Sequence, residues 1–240
     1  MYYLDFDYRV LYIYKDGQLL HKEPTYCLYN LKSLELIAMG EEARHKLKCD
    51  INFLVYIPIE NSKIVSEKIL NDYISFILKK YSINKSEAKL IIYKYINKFK
   101  NYPSIRGKNF LQKFSSSDYF FEIRGTESIL YDKQKKQLKV ITWGLQDIYK
   151  NINYYLNDNY NVTLNTSKIE SLIRETKNDI SSLNIVARSI LNGQEVDIEI
   201  SNISELFKSS IKKLQNFFKK IDASKISFGP KFIEVFDFVY

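Results

Sequence analysis

Residues 2–30 read YYLDFDYRVLYIYKDGQLLHKEPTYCLYN. Apolar and polar residues alternate along this stretch with heavy use of Tyr, Val, Ile and Leu, the pattern of half-buried strands. Asp16-Gly17 falls between two such runs and marks a hairpin turn. The order is therefore strand, tight connection, strand, turn, strand, and Pro24 limits how far a central ladder can continue. After Gly40, the acidic pair Glu41-Glu42 predicts a short helix with its acids at the positive end. Residues 53–59 (FLVYIPI) form a continuous apolar run suited to a buried strand. From residue 63 to 81, Val65, Ile69, Leu70, Tyr73, Ile74, Ile77, Leu78 and Tyr81 fall on one helical stripe. A second helix is predicted over residues 86–99, with Leu90, Ile91, Ile96 and Phe99 inward.

Residues 101–117, with Pro103, Gly107 and several serines, predict a linker between a first part (1–100) and a second (118–240). The second part restarts with strands: DYFFEIRG, ESILYDK and KQLKVITWG read as three antiparallel runs. A helix over residues 145–156 follows, and another from Ser167 to residue 178, with Ser167 and Glu170 placed as a capping box. NIVARSILNGQEVDIEIS predicts a hairpin turning at Asn192-Gly193. Residues 202–221 predict a helix with Ile203, Leu206, Phe207, Ile211, Leu214 and Phe218 inward. The tail from Phe232 to Tyr240 alternates like a core or edge strand. Each half opens with strands and then turns helical.

The 240 residues suffice for one large domain or two small ones. Seven glycines are few for a site built from several glycine-rich phosphate loops. The net charge of +8 is compatible with an acidic partner, but the lysines are dispersed, which speaks against nucleic acid. Two cysteines, Cys27 and Cys49, predict a reducing compartment and no disulfide framework. His21 and His45 have no neighbours at metal-ligand spacing and are read as surface residues. No segment has the apolar length of a membrane span. The strand-like start leaves no room for an N-terminal membrane-binding helix, so the expected location is the cytoplasm.

The order of these segments resembles the rod-shape-determining bacterial actin homologues, the MreB family. The strand trio ends in Glu23-Pro24-Thr25 where the family usually has Glu-Pro-Ser. Residues 36–43 (LIAMGEEA) resemble its Val-Gly-Glu-Glu-Ala segment, and residues 56–81 its following turn and helix. Residues 119–178 are similar to the start of its second domain, and residues 185–221 to its hairpin and helix. The resemblance implies an α/β, actin-like (ribonuclease H-like) fold of two related subdomains, shortened and without the small insertions that flank the cleft.

Against that family, the phosphate-binding positions are altered. In the first loop Asp5 keeps the family residue, while Asp7 and Tyr8 stand where glycine and threonine are usual. A bulky side chain there blocks the backbone amides, and a second carboxylate repels phosphate. In the second loop the family's glycine-rich turn is replaced by Glu122-Ile123-Arg124-Gly125-Thr126-Glu127. On the adenosine side only Gly229 remains, followed by Pro230. The family's interdomain Glu-Glu-Pro segment is not legible in residues 82–118, which are read as too short to hold its strand and helix.

The resemblance thus implies a divergent cytoskeletal protein of cell shape that is a pseudo-ATPase. It would assemble with itself or with an intact relative, in the cytoplasm or at the inner face of the membrane. No catalytic residue and no metal site is expected. Asp5, Glu122, Gly125 and Thr126 are the remnants of the phosphate loops. No cofactor is expected, ATP with magnesium being what an intact relative would hold. The alternative is an actin-fold adaptor of a division, pilus or plasmid-partition apparatus.

Overall fold

The computed structural model describes residues 1–7, 9–47, 53–60, 63–93, 102–166, 168–169, 184–199, 218 and 221–236. The chain divides into two compact units. One comprises Met1–Ser116 with Tyr131–Val140, the other Ser117–Leu130 with Ile141–Tyr240.

The first unit is built on a five-stranded sheet. Strands β1 (Tyr2–Asp7), β2 (Val10–Lys15) and β3 (Gln18–Pro24) are the antiparallel run expected from residues 2–30. Asp16 and Gly17 both adopt positive φ, 50° and 90°, as the hairpin turn between β2 and β3 requires. Strands β9 (Ala88–Ile92) and β10 (Ser104–Arg106) continue the sheet on the other side of β1, in the order β10-β9-β1-β2-β3. Both new ladders, β9 on β1 and β10 on β9, are parallel.

Strand β1 is central, and it is buried from Tyr3 to Asp7 rather than half-buried. Leu4 and Phe6 pack into the core formed with helix α2 (Glu67–Lys80). Tyr3, on the opposite face, meets the rings of Phe110 and Phe114 at 5.1 and 5.3 Å. Both rings belong to helix α3 (Gly107–Phe114). Helix α2 buries Leu70, Tyr73, Ile74, Ile77 and Leu78 on the predicted stripe, each contributing roughly 2 kcal/mol of apolar burial. The side chain of Ser66 caps it by accepting from the Ile69 amide. The Tyr73 hydroxyl donates to the Pro24 carbonyl at 2.8 Å, tying the helix to the end of β3.

Between β3 and α2 the chain makes a separate three-stranded sheet. Strands β4 (Cys27–Asn30), β5 (Leu36–Met39) and β6 (Phe53–Tyr56) lie in the order β5-β4-β6. The short helix α1 (Gly40–Lys46) belongs to this layer. A two-stranded ribbon, β7 (Ile59–Glu60) with β8 (Lys63–Ile64), precedes α2. The expectation of a fold without inserted elements is therefore corrected.

The second unit repeats the plan. Strands β11 (Tyr119–Ile123), β12 (Ser128–Asp132), β13 (Gln137–Ile141) and β16 (Ile226–Phe228) lie in the order β13-β12-β11-β16, with β16 parallel to β11, and the hairpin residues 131–140 of this sheet group with the first unit. Helix α4 (Leu145–Tyr160) buries Leu145, Ile148, Tyr149, Ile152 and Leu156 in a core with Phe121, Ile123 and Leu130. It ends on Asn161 at φ 53°, a left-handed position that asparagine tolerates. An inserted hairpin, β14 (Asn184–Arg188) with β15 (Glu195–Glu199), precedes β16.

Four sequence expectations change. The helix expected over residues 86–99 is the strand β9 where the structure describes it. Its run of Leu90, Ile91 and Ile92 fills a central parallel position, and a short apolar run cannot reveal its period. The expected linker at 101–117 holds β10 and α3. The β14–β15 connection is wider than an Asn-Gly turn: the Ser189 amide donates to Gln194 O, which leaves residues 190–193 as the loop. The tail is not a strand at its start but helix α5 (Pro230–Phe236), because Pro230 is preorganised for a first helical position. The helices expected over residues 167–178 and 202–221 lie outside the described residues save for isolated positions, as do Cys49 and residues 237–240. Among the described residues no helix is long and apolar enough to cross a membrane.

Cys27 on β4 is fully buried. Burial, and then the Asp72 carboxylate, push its thiol up to about 12 from 9.0. A group raised on folding stabilises the fold fully below its unfolded value and loses that contribution as pH climbs through the folded one. Stability is therefore expected to fall between about pH 9 and 12, less steeply in a Cys27→Ala chain, as followed by urea denaturation across that range. Mass-mapped alkylation of Cys27 at pH 8 should require unfolding; ready labelling of the native chain would contradict its burial.

Candidate functional site

Asp5 lies opposite Tyr12 and Asp7 opposite Val10 in the β1–β2 ladder, and both carboxylates are buried. Residues 5–7 are thus strand. The connection is the pair 8–9, of which Tyr8 lies outside the described residues. Arg9 offers its carbonyl to the Thr25 amide at 2.9 Å. Alternation puts Asp5 and Asp7 on the same face of β1 as Tyr3. This spacing sets the two carboxylates about 7 Å apart on one face.

In the second unit, Glu122, Gly125 and Thr126 come together around the end of β11. Glu122 is buried, and its carboxylate is turned toward the start of α5. The Phe232 amide donates to Oε1 at 2.8 Å and the Lys231 amide to Oε2 at 3.3 Å, while the Ile123 amide also donates to Oε1 at 3.0 Å. Gly229 makes room for this arrangement. A Cβ there would stand 2.0 Å from Glu122 Oε2, and the Gly229 amide donates to the Phe121 carbonyl at 2.7 Å. The one glycine left on the expected adenosine side therefore seats a glutamate.

The turn 124–127 is engaged in a comparable way with α4. The Leu145 amide donates to the Arg124 carbonyl at 2.9 Å, and the Gln146 amide to the Gly125 carbonyl at 2.8 Å. The Gly144 amide donates to Asp147 Oδ2 at 2.9 Å. A Cβ on Gly144 would lie 2.4 Å from Arg124 O, 2.6 Å from Glu127 N and 2.7 Å from Gly125 O. Close packing of turn on helix is what this glycine permits. Thr126 sits half-buried at the turn. A phosphate loop presents amides to its ligand; this turn presents carbonyls to its own helix.

The first unit has a matching buried carboxylate that the residue-level reading passed over. Glu23 accepts from Lys80 Nζ at 2.8 Å on both oxygens, from the Tyr81 hydroxyl at 2.7 Å, and from the Glu41 amide at the start of α1 at 3.0 Å. Gly40 accommodates it at φ 64°, where a Cβ would meet Oε1 at 2.1 Å. Burial and then the hydrogen bond to Glu23 hold the Tyr81 hydroxyl well above the usual tyrosine range. The signal was present in Glu23-Pro24, which marks the end of β3.

Residues 82–118 hold more than expected: two strands and a helix fit there. Arg106 and Gly107 stand at the β10–α3 junction. A Cβ on Gly107 would be 2.2 Å from the Tyr93 ring. Among the described residues no group of three His, Cys, Asp or Glu side chains is placed to hold a metal ion.

Strand order 3-2-1-4 in both larger sheets, with the fourth strand parallel to the first, defines an actin-like α/β protein. The chain is similar over 98% of its length to the crystal structures of MreB5 of Spiroplasma citri bound to ADP and bound to AMPPNP. Each match has a TM-score of 0.66 at 15% identity and covers 89% of that chain. The fold is thus MreB-like. No protein-family model matches the chain, and no curated protein matches it.

Replacing Glu122 with Ala strands the buried amides of Lys231 and Phe232. The expected loss is about 1–3 kcal/mol in urea denaturation, with Glu122→Gln milder because its amide oxygen still accepts. Gly144→Ala should cost at least as much, since its obstacles are backbone atoms that cannot swing away. A Glu122→Ala chain as stable as the parent would remove the capping role.

Proposed function

We propose that this chain is a divergent actin-like cytoskeletal protein of cell shape, assembling with itself or alongside an intact relative, and holding nucleotide weakly or not at all. The observation that carries the second part is the occupancy of the second unit's helix starts. Glu122 fills the start of α5, and the carbonyls of Arg124 and Gly125 fill that of α4. A helix start attracts phosphate through unsatisfied amides and its positive pole. Here both are met from within the chain. The MreB-like fold supports the first part, because actin-like subunits join through two different surfaces and so extend without closing.

Calorimetry of the full chain with ATP and magnesium is expected to show no saturable heat at micromolar nucleotide. Micromolar affinity would overturn the pseudo-ATPase part. Ultracentrifugation of the chain, alone and with an intact actin-like relative, is expected to pellet it in at least one arm; a chain soluble in both is an adaptor instead.

A further inference from the structure

A groove of about 920 Å3 opens in the first unit between strand β10, the start of α3, and residues 136–140 of the β12–β13 hairpin. Arg106, Lys108, Lys136 and Lys139 line it, and no acidic residue does. All four are exposed, and among the described residues none of them forms an ion pair, whereas Arg44, Lys46, Lys80 and Lys135 each sit on a carboxylate. Ile105 and Leu138 give the groove an apolar floor. Strands β10 and β13 are each the last strand of their sheet, so their outer backbone groups are unpaired by ladder bonds.

The second unit carries the converse surface. The β14–β15 hairpin presents Ile190 and Leu191 at its loop, 61% and 74% exposed, with Val186 at 56% beside them. Along β15, Glu195 and Asp197 alternate outward and are exposed. Glu195, Asp197 and Glu199 against Arg188 leave residues 184–199 with a net charge of −2. Arg188 faces Glu195 across the ladder without forming an ion pair with it.

We infer that the basic groove of one copy receives the β14–β15 hairpin of a second copy. The two surfaces complement each other in both respects. An apolar tip with acids beside it meets an apolar floor ringed by cations, and exposed apolar clusters rimmed by charge are the surfaces that associate. The contact joins unlike surfaces, so each added copy leaves one groove and one hairpin open and the assembly extends. This contact rests on the self-assembly arm of the reading above.

The test is sedimentation of the full chain at low and raised salt, beside Lys139→Glu, Asp197→Lys and the chain carrying both. Wild type should form oligomers that loosen with salt. Each single reversal should raise the concentration for half-assembly about tenfold. Mixing the two single variants should restore extended assembly, because the unaltered groove meets the unaltered hairpin and the two reversed charges attract each other at the next contact, and the double reversal should regain assembly through that same reversed pair. Circular dichroism melts check that each variant folds; Lys139→Gln and Asp197→Asn serve if a reversal does not. Wild-type oligomers unaffected by either reversal, or a double variant no better than the singles, would overturn this contact while leaving the cytoskeletal reading intact. A wild-type chain that stays monomeric also overturns it, and co-pelleting with an intact relative then decides the broader reading separately.

Discussion

The amides at the start of a helix must find acceptors, and in this protein the acceptors are the chain's own. Glu122 serves α5, the carbonyls of the 124–127 turn serve α4, Glu23 serves α1, and Ser66 serves α2. Three of these contacts depend on a glycine whose missing Cβ lets a carboxylate or a turn come within bonding distance: Gly229, Gly144 and Gly40. A buried carboxylate is tolerated only when donors surround it. The same donors that stabilise Glu122 are those an anionic ligand would need. The contacts that stabilise the second unit are therefore also those on which the proposal of weak or absent nucleotide binding rests.

The first unit depends on burying β1 on both faces. Leu4 and Phe6 meet α2, while Tyr3 meets the Phe110 and Phe114 rings of α3. The ring-on-ring contacts help explain the heavy aromatic content, since aromatic pairs add to simple area burial. They also give α3 a fixed place beside β10. That placement brings Arg106 and Lys108 together with Lys136 and Lys139 into one basic groove. A packing requirement of the core thus creates the surface on which the proposed assembly contact rests.

The strand order was legible where the sequence carried local signals. The Asp16-Gly17 turn, the alternating runs around it and the single stripe of α2 all survive, because turn chemistry and helical periodicity act within a few residues. The second-half strands at 119–141 and the helix after them were legible for the same reason. Strand β9 was not, since Leu90, Ile91 and Ile92 can face inward from a helix or from a strand covered on both sides. Helix α5 was misread because a run of aromatics says strand until Pro230 is weighed as a helix start.

The candidate site divides along the same line. Sequence alone determined that, where the resemblance places three phosphate loops, only Gly125 and Gly229 remain as glycines and acids stand at Asp7, Glu122 and Glu127, since residue identity is enough to limit close backbone approach. Only the tertiary structure decided where those acids point. That Glu122 turns onto amides 109 and 110 residues away, and that Gly229 exists to admit it, are contacts between segments distant in the chain. No local pattern encodes them, because they arise only when β16 docks parallel to β11.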